Sequence, residues 1–259
     1  MKRTARASTA TLLAAVLIAA CGGGEPAADT EGTTRSLLNQ SDLVGGPSTP
    51  VTGDPDLAAR GGNPVIPELG FNLGSMAAPL KLIEFSDYGC GYCRRFHMET
   101  FPTLREGFVD SGQVEWKFMP FITGMFENSL AVTEAAECTF EQGPALFEAL
   151  SDLIWERQAE WKGSGEPEAV VRGWARELGA DLDTLDGCLA DDRRIQRIAD
   201  ATLVAQQLGV RGTPTFWLVG YGPLQGALPL EVFEGVLGAV LEQVEAARDS
   251  ASADSVGVS

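Results

Sequence analysis

Ile83-Glu84-Phe85-Ser86-Asp87-Tyr88-Gly89-Cys90-Gly91-Tyr92-Cys93-Arg94-Arg95-Phe96 changes its periodicity halfway along. Pro79 to Asp87 reads as a buried strand, Leu80-Lys81-Leu82-Ile83-Glu84-Phe85, which ends in the turn-like Ser86-Asp87-Tyr88-Gly89. From Cys90 to about Asp110 the pattern is helical, with a kink expected at Pro102, whose ring removes an N–H and collides with the preceding turn. Gln113 to Phe118 alternates as a second strand, so the region composes a βαβ unit.

Outward from this unit, residues 127 to 208 carry helix after helix, with stops near Gly143, Gly163-Ser164-Gly165 and Gly179 and a cap at Asp181. Trp155, Trp161 and Trp174 read as core of this all-helical block. Gly212-Thr213-Pro214 then leads into the strand Thr215-Phe216-Trp217-Leu218-Val219, with a hairpin partner expected within Pro223 to Leu228. Leu230, Phe233, Leu237, Val240, Leu241 and Val244 recur at helical spacing, giving a terminal amphipathic helix. The class is α/β: a βαβ half and a C-terminal ββα half, separated by a helical insertion.

The N-terminal quarter is different. Met1-Lys2-Arg3-Thr4-Ala5-Arg6 is basic, and Thr11 to Ala20 is apolar but too short to span a bilayer, which reads as a signal peptide. It ends in Ile18-Ala19-Ala20-Cys21, which resembles a bacterial lipobox and makes Cys21 the expected lipidated N-terminus. From Gly22 to Ala78, 17 of 57 residues are Gly or Pro and Phe71 is the only aromatic, a composition that cannot bury enough apolar surface to offset its ordering entropy. The expected partition is signal peptide 1–20, lipidated linker 21–68, folded domain 69–248 and disordered tail 249–259. The last part of the linker, from about Glu68, is placed as an edge strand. The formal net charge of −17 argues against a nucleic-acid partner, which needs a basic face.

Assigning Cys21 to lipid leaves Cys90, Cys93, Cys138 and Cys188 in an oxidising compartment, where two pairs can form. A zinc site is poorly supported, because His97 is the only histidine and the cysteines form one close pair and two distant singles. Cys90 and Cys93 stand one turn apart at the start of a helix that follows a buried strand, as disulfide exchange requires. Backbone N–H groups at that helix start favour thiolate on Cys90, the nucleophile, and Cys93 is placed to resolve the mixed disulfide. Cys138 and Cys188 lie in helical segments with apolar neighbours and are expected to form a structural disulfide across the insertion. Two free core thiols are the alternative.

Three separated segments resemble the DsbA-like branch of the thioredoxin superfamily over roughly Leu69 to Val244. They are the stretch from Ile83 to Phe96, Ala135-Ala136-Glu137-Cys138 through Leu146-Phe147, and Cys188-Leu189-Ala190 running into Leu208-Gly209-Val210-Arg211-Gly212-Thr213-Pro214-Thr215-Phe216. The resemblance implies that Pro214 is a cis-proline facing the cysteines, and that the Thr213 backbone pairs with an extended substrate peptide. It also implies a buried acid at Glu84, where burial would fit the carboxyl to take the proton of Cys93. Arg94, Arg95 and His97 could bias the thiolate, although the plainer reading is a solvated helix face.

The implied function is extracytoplasmic disulfide exchange, chiefly oxidation of exported proteins with free or mispaired cysteines. The cysteine pair would serve without a cofactor or metal, a membrane reoxidase or reductase would recycle it, and the lipid would anchor it to a bacterial membrane. An isomerase or reductase is the alternative enzyme. Cys90-Gly91-Tyr92-Cys93 resembles the tetrapeptide of bacterial disulfide isomerases, but their dimerisation domain has no counterpart in Gly22 to Ala78. A non-catalytic peptide-binding lipoprotein is the alternative of another class.

Overall fold

A computed structural model describes residues 66–256. Among them, five strands form one sheet: β1 (Phe71–Leu73), β2 (Leu80–Ser86), β3 (Val114–Pro120), β4 (Thr215–Leu218) and β5 (Gly222–Gln225), in the order β1-β3-β2-β4-β5. β2 and β3 run parallel, with Leu80 opposite Val114 and Ser86 opposite Pro120, and every other pairing is antiparallel. The expected signal peptide, Cys21, most of the expected linker and residues 257–259 lie outside the described residues. The segment assigned to the linker as far as 68 is already folded at Ile66–Glu68, where Lys117 Nζ donates to the Pro67 and Leu69 carbonyls.

Helix α1 (Gly91–Glu99) follows β2 and ends at Thr100. The chain resumes in α2 (Phe101–Leu104) and a wider, π-type turn at Arg105–Val109. The interruption therefore falls two residues before Pro102, which occupies the second position of α2, where its missing N–H breaks no bond within that helix. The insertion comprises α3 (Ser129–Thr139), α4 (Pro144–Glu156), α5 (Gln158–Lys162), α6 (Pro167–Glu177), α7 (Leu182–Ala190) and α8 (Ile195–Gln207). Asp181 caps α7, its side chain accepting the Thr184 N–H at 2.7 Å. Cys138 on α3 and Cys188 on α7 are disulfide-bonded, with Cα atoms 5.8 Å apart.

The last helix, α9 (Leu230–Val256), corrects the expected tail: residues 249–256 continue the helix. The reason is local, since Ala246, Ala247, Ala251 and Ala253 are strong helix formers that propagate an existing helix at little cost.

Strand alternation sets the layers. Leu80 and Leu82 of β2, with Trp116 and Phe216 from its neighbours, face Phe96 of α1 and Phe233 and Leu237 of α9. Ile83 and Phe85 point the other way and pack with Met119 against Ala201, Val204 and Ala205 of α8. Glu84 and Ser86 share the parity of Leu82 and so lie on the α1 side. Trp155, Trp161 and Trp174 are buried in the insertion's own core, which also takes in Tyr88, Cys90 and Cys93. No helix among the described residues is long and apolar enough to cross a membrane.

Candidate active site

Cys90 is the N-cap of α1, in extended backbone conformation, and its Sγ accepts the Cys93 backbone N–H at 3.3 Å. A side chain at this position meets N–H groups that have no partner within the helix, and these attract negative charge. Cys93 lies one turn further on and is fully buried, whereas Tyr92 between the two thiols is exposed. Both cysteines are free thiols. Across from them the Thr213–Pro214 bond is cis, and the Cys90 thiol donates to the Thr213 carbonyl at 3.4 Å. Cys90, Cys93, Thr213 and Pro214 are thus brought together. Cys138 and Cys188 are held apart from them in their own disulfide.

The two sulfurs have opposite proton affinities. Cys90 is pulled down to about 6, chiefly by the Cys93 thiol that donates to it. Burial opposes this shift, and the Thr213 side chain and the Cys93 and Tyr92 backbone N–H groups reinforce it. Cys93 is held well above the ordinary thiol value, first by burial and then by the hydrogen bond to Cys90 and its charge. The Ser86 hydroxyl lies against the Cys93 sulfur and has no nitrogen or oxygen partner.

Glu84 is fully buried. Oε1 is bonded to His97 Nε2 at 2.8 Å and Oε2 accepts Trp116 Nε1–H at 2.9 Å. The groups against the Cys93 sulfur are the Cys90 thiol, the Ser86 hydroxyl and the Asp87 N–H. Both carboxylate oxygens of Glu84 are thus engaged by His97 and Trp116 rather than by a cysteine. His97 is also displaced from its expected solvated face: its ring stacks on Trp155 at 4.5 Å between centroids while its nitrogen holds Glu84. Arg94 turns to the Trp155 and Glu156 carbonyls, and Arg95 lies over the Tyr92 ring. Neither arginine is among the groups that lower Cys90.

Sequence reasoning missed the supports of the active-site turn. Gln158 Nε2 of α5 donates to the Tyr88 carbonyl at 2.6 Å and the Cys90 carbonyl at 3.1 Å, and Lys162 Nζ donates to the Gly89 carbonyl at 2.6 Å. No local signal marks these residues, which lie about 70 positions away. Asp87 did carry a signal, because an aspartate two residues before a glycine in a turn commonly accepts that glycine's N–H.

A twisted sheet with a cysteine pair capping the helix after its central strand, opposite a cis-proline loop, defines a thioredoxin-type protein. The chain belongs to the thioredoxin family, whose described match covers residues 68–222. Its fold is DsbA-like: BdbD from Bacillus subtilis superposes with a TM-score of 0.62 at 20% identity, covering 70% of this chain and 97% of that one. α-DsbA1 from Wolbachia pipientis gives 0.61 at 19%, covering 68% and 92%. Among curated proteins, Na(+)/H(+) antiporter NhaA 3 of Salinispora tropica is 34% identical over 165 residues, which is 62% of this chain but only 24% of the antiporter. Disulfide bond formation protein D of Bacillus subtilis is 26% identical over 153 residues, 56% of this chain and 66% of that protein.

Proposed function

We propose that the protein is an extracytoplasmic thiol-disulfide oxidoreductase that oxidises exported proteins bearing free or mispaired cysteines. The observation that carries this reading is the opposite bias of the two sulfurs: Cys90 low, Cys93 high, one turn apart.

In the oxidised protein a substrate thiolate attacks Cys90 Sγ, and the Cys90–Cys93 bond breaks. Cys93 leaves as thiolate and takes a proton, which its burial favours. A second substrate thiolate then attacks the substrate sulfur of the mixed disulfide and expels Cys90, which is stable as thiolate near neutral pH. Two electrons pass from the substrate dithiol to the protein, and the substrate gains a disulfide. These steps use only the cysteine pair and no cofactor. The Thr213 carbonyl beside Cys90 is the acceptor offered to a substrate backbone N–H, aligning the peptide by strand addition.

Recycling of the pair is assigned to a membrane reoxidase. Attachment to a bacterial membrane is assigned to acyl chains on Cys21, from the Ile18-Ala19-Ala20-Cys21 motif. Two assays of the full chain test the function: oxidation of reduced ribonuclease and reduction of insulin. Oxidation that is lost in Cys90→Ser is the expected result. Insulin reduction without ribonuclease oxidation would make the protein a reductase, and neither activity would make it a peptide-binding module.

A further inference from the structure

Asp87 is 2% exposed, and its Oδ1 accepts both the Gly89 N–H, at 2.8 Å, and the Ser129 hydroxyl. Ser129 is the first residue of α3, so this one carboxyl ties the turn that presents Cys90 to the start of the insertion. The backbone of Asp87 serves the same pair of cysteines: its carbonyl accepts the Cys90 N–H at 2.9 Å, and its N–H faces the Cys93 sulfur. The turn is packed closely at Gly89, where a Cβ would come within 2.3 Å of Phe126 Cβ. The ionisable groups facing the carboxyl are Cys90 on its own turn and Lys162 of α5, which also donates to the Gly89 carbonyl; α3 contributes only the neutral Ser129.

We propose that Asp87 is the positioning residue of the nucleophile: it fixes the Cys90 turn against α3, and its charge sets how much of Cys90 is held as thiolate. This rests on the reading of Cys90 as the exchanging sulfur. A buried carboxylate beside a thiolate places two like charges in a poorly solvated site, and each disfavours ionisation of the other. Burial lifts Asp87 to about 6, close to Cys90, so the two groups compete for ionisation in the same pH range. When Cys90 is released as thiolate, its charge raises the proton affinity of the Asp87 carboxyl. When that sulfur enters a disulfide, this contribution is lost.

Asn at 87 keeps an oxygen to accept from Gly89 and Ser129 but carries no charge, so Asp87→Asn separates the clamp from the electrostatic effect. Ser129→Ala removes a donor that favours the ionised carboxyl and so leaves Asp87 protonated over a wider pH range. The experiment titrates the reduced full chain, following thiolate absorbance and the rate of Cys90 alkylation against pH, with circular dichroism to establish folding. In Asp87→Asn the Cys90 midpoint falls by about one pH unit, about tenfold in acid constant. In Ser129→Ala it moves the same way by less. Folded variants whose Cys90 midpoints match the parent would overturn the proposal. If Asp87→Asn does not fold, Ser129→Ala decides alone. The titration requires no substrate, so a parent that titrates as described yet oxidises no ribonuclease would refute the functional reading and leave the role of Asp87 standing.

Discussion

The Sγ of Cys90 lies 3.4 Å from the carbonyl oxygen of Thr213, although 123 positions separate the two residues. Contact across such a distance in sequence exists because β2 and β4 are antiparallel neighbours, with Phe85 opposite Thr215, so that the end of one strand and the start of the other meet at the same edge of the sheet. Cys90 and the Thr213 backbone are thus fixed by the same hydrogen-bonded ladder.

Thr213 also contributes through its side chain, which helps to lower Cys90. Thr213→Val keeps the shape and the backbone carbonyl but removes the hydroxyl. Its Cys90 titration midpoint should rise from about 6, with the backbone N–H groups of Cys93 and Tyr92 retaining part of the shift. Alkylation rate against pH reads this directly.

Alkylation of the reduced parent should increase through a midpoint near pH 6 and then level off, and mass spectrometry should locate the adduct on Cys90, with Cys93 protected until strongly alkaline pH. The same shift has a consequence for stability. A folded-state value depressed below the unfolded thiol stabilises the reduced form fully above the unfolded value, and this contribution is lost as pH falls through about 6. The denaturant midpoint of the reduced protein should therefore fall relative to that of the oxidised protein as pH is lowered through that range.

Glu84 ties β2 to α1 through His97 and to β3 through Trp116. Glu84→Ala should destabilise the protein by about 1–3 kcal/mol for the stranded Trp116 N–H alone. Glu84→Gln, which retains an acceptor, should leave the Cys90 titration midpoint where it is. Chemical denaturation and the alkylation profile check the two statements.

Much of this was legible in the sequence. The switch from strand to helix at Cys90, the hairpin after Thr215 and the Asp181 cap all rest on contacts within a few residues, which periodicity and turn chemistry report. The pairing of Glu84 with His97 was not legible. Each residue has a plain local reading, a strand carboxylate and a helix-surface histidine, and only the packing of α1 on the sheet brings them to 2.8 Å. The Asp87–Ser129 clamp spans 42 positions and joins the turn after β2 to the start of α3, so no short window along the chain contains it. Arg94 illustrates the converse: its place in sequence offered a bias on the thiolate or, more plainly, a solvated helix face, whereas its side chain reaches the carbonyls at the end of α4.

Cys138 and Cys188 close a loop of 50 residues that joins α3 to α7. In the chain-entropy account a cross-link of that span stabilises by about 4 kcal/mol. The double variant Cys138→Ala, Cys188→Ala should unfold at lower denaturant by an amount approaching this figure, less any relaxation of the native state. Its Cys90 titration should match the parent, because the disulfide-bonded pair carries no charge.

The most direct measurement is the reduction potential of the Cys90–Cys93 pair, obtained by equilibrating the full chain with glutathione buffers and trapping free thiols, with the Cys138→Ala, Cys188→Ala variant isolating the active pair. A thiolate stabilised at a helix start beside Thr213 makes the disulfide oxidising, and the account predicts a value of about −130 to −210 mV. A value near that of thioredoxin, about −270 mV, or a pair that does not exchange with glutathione at all, would contradict it.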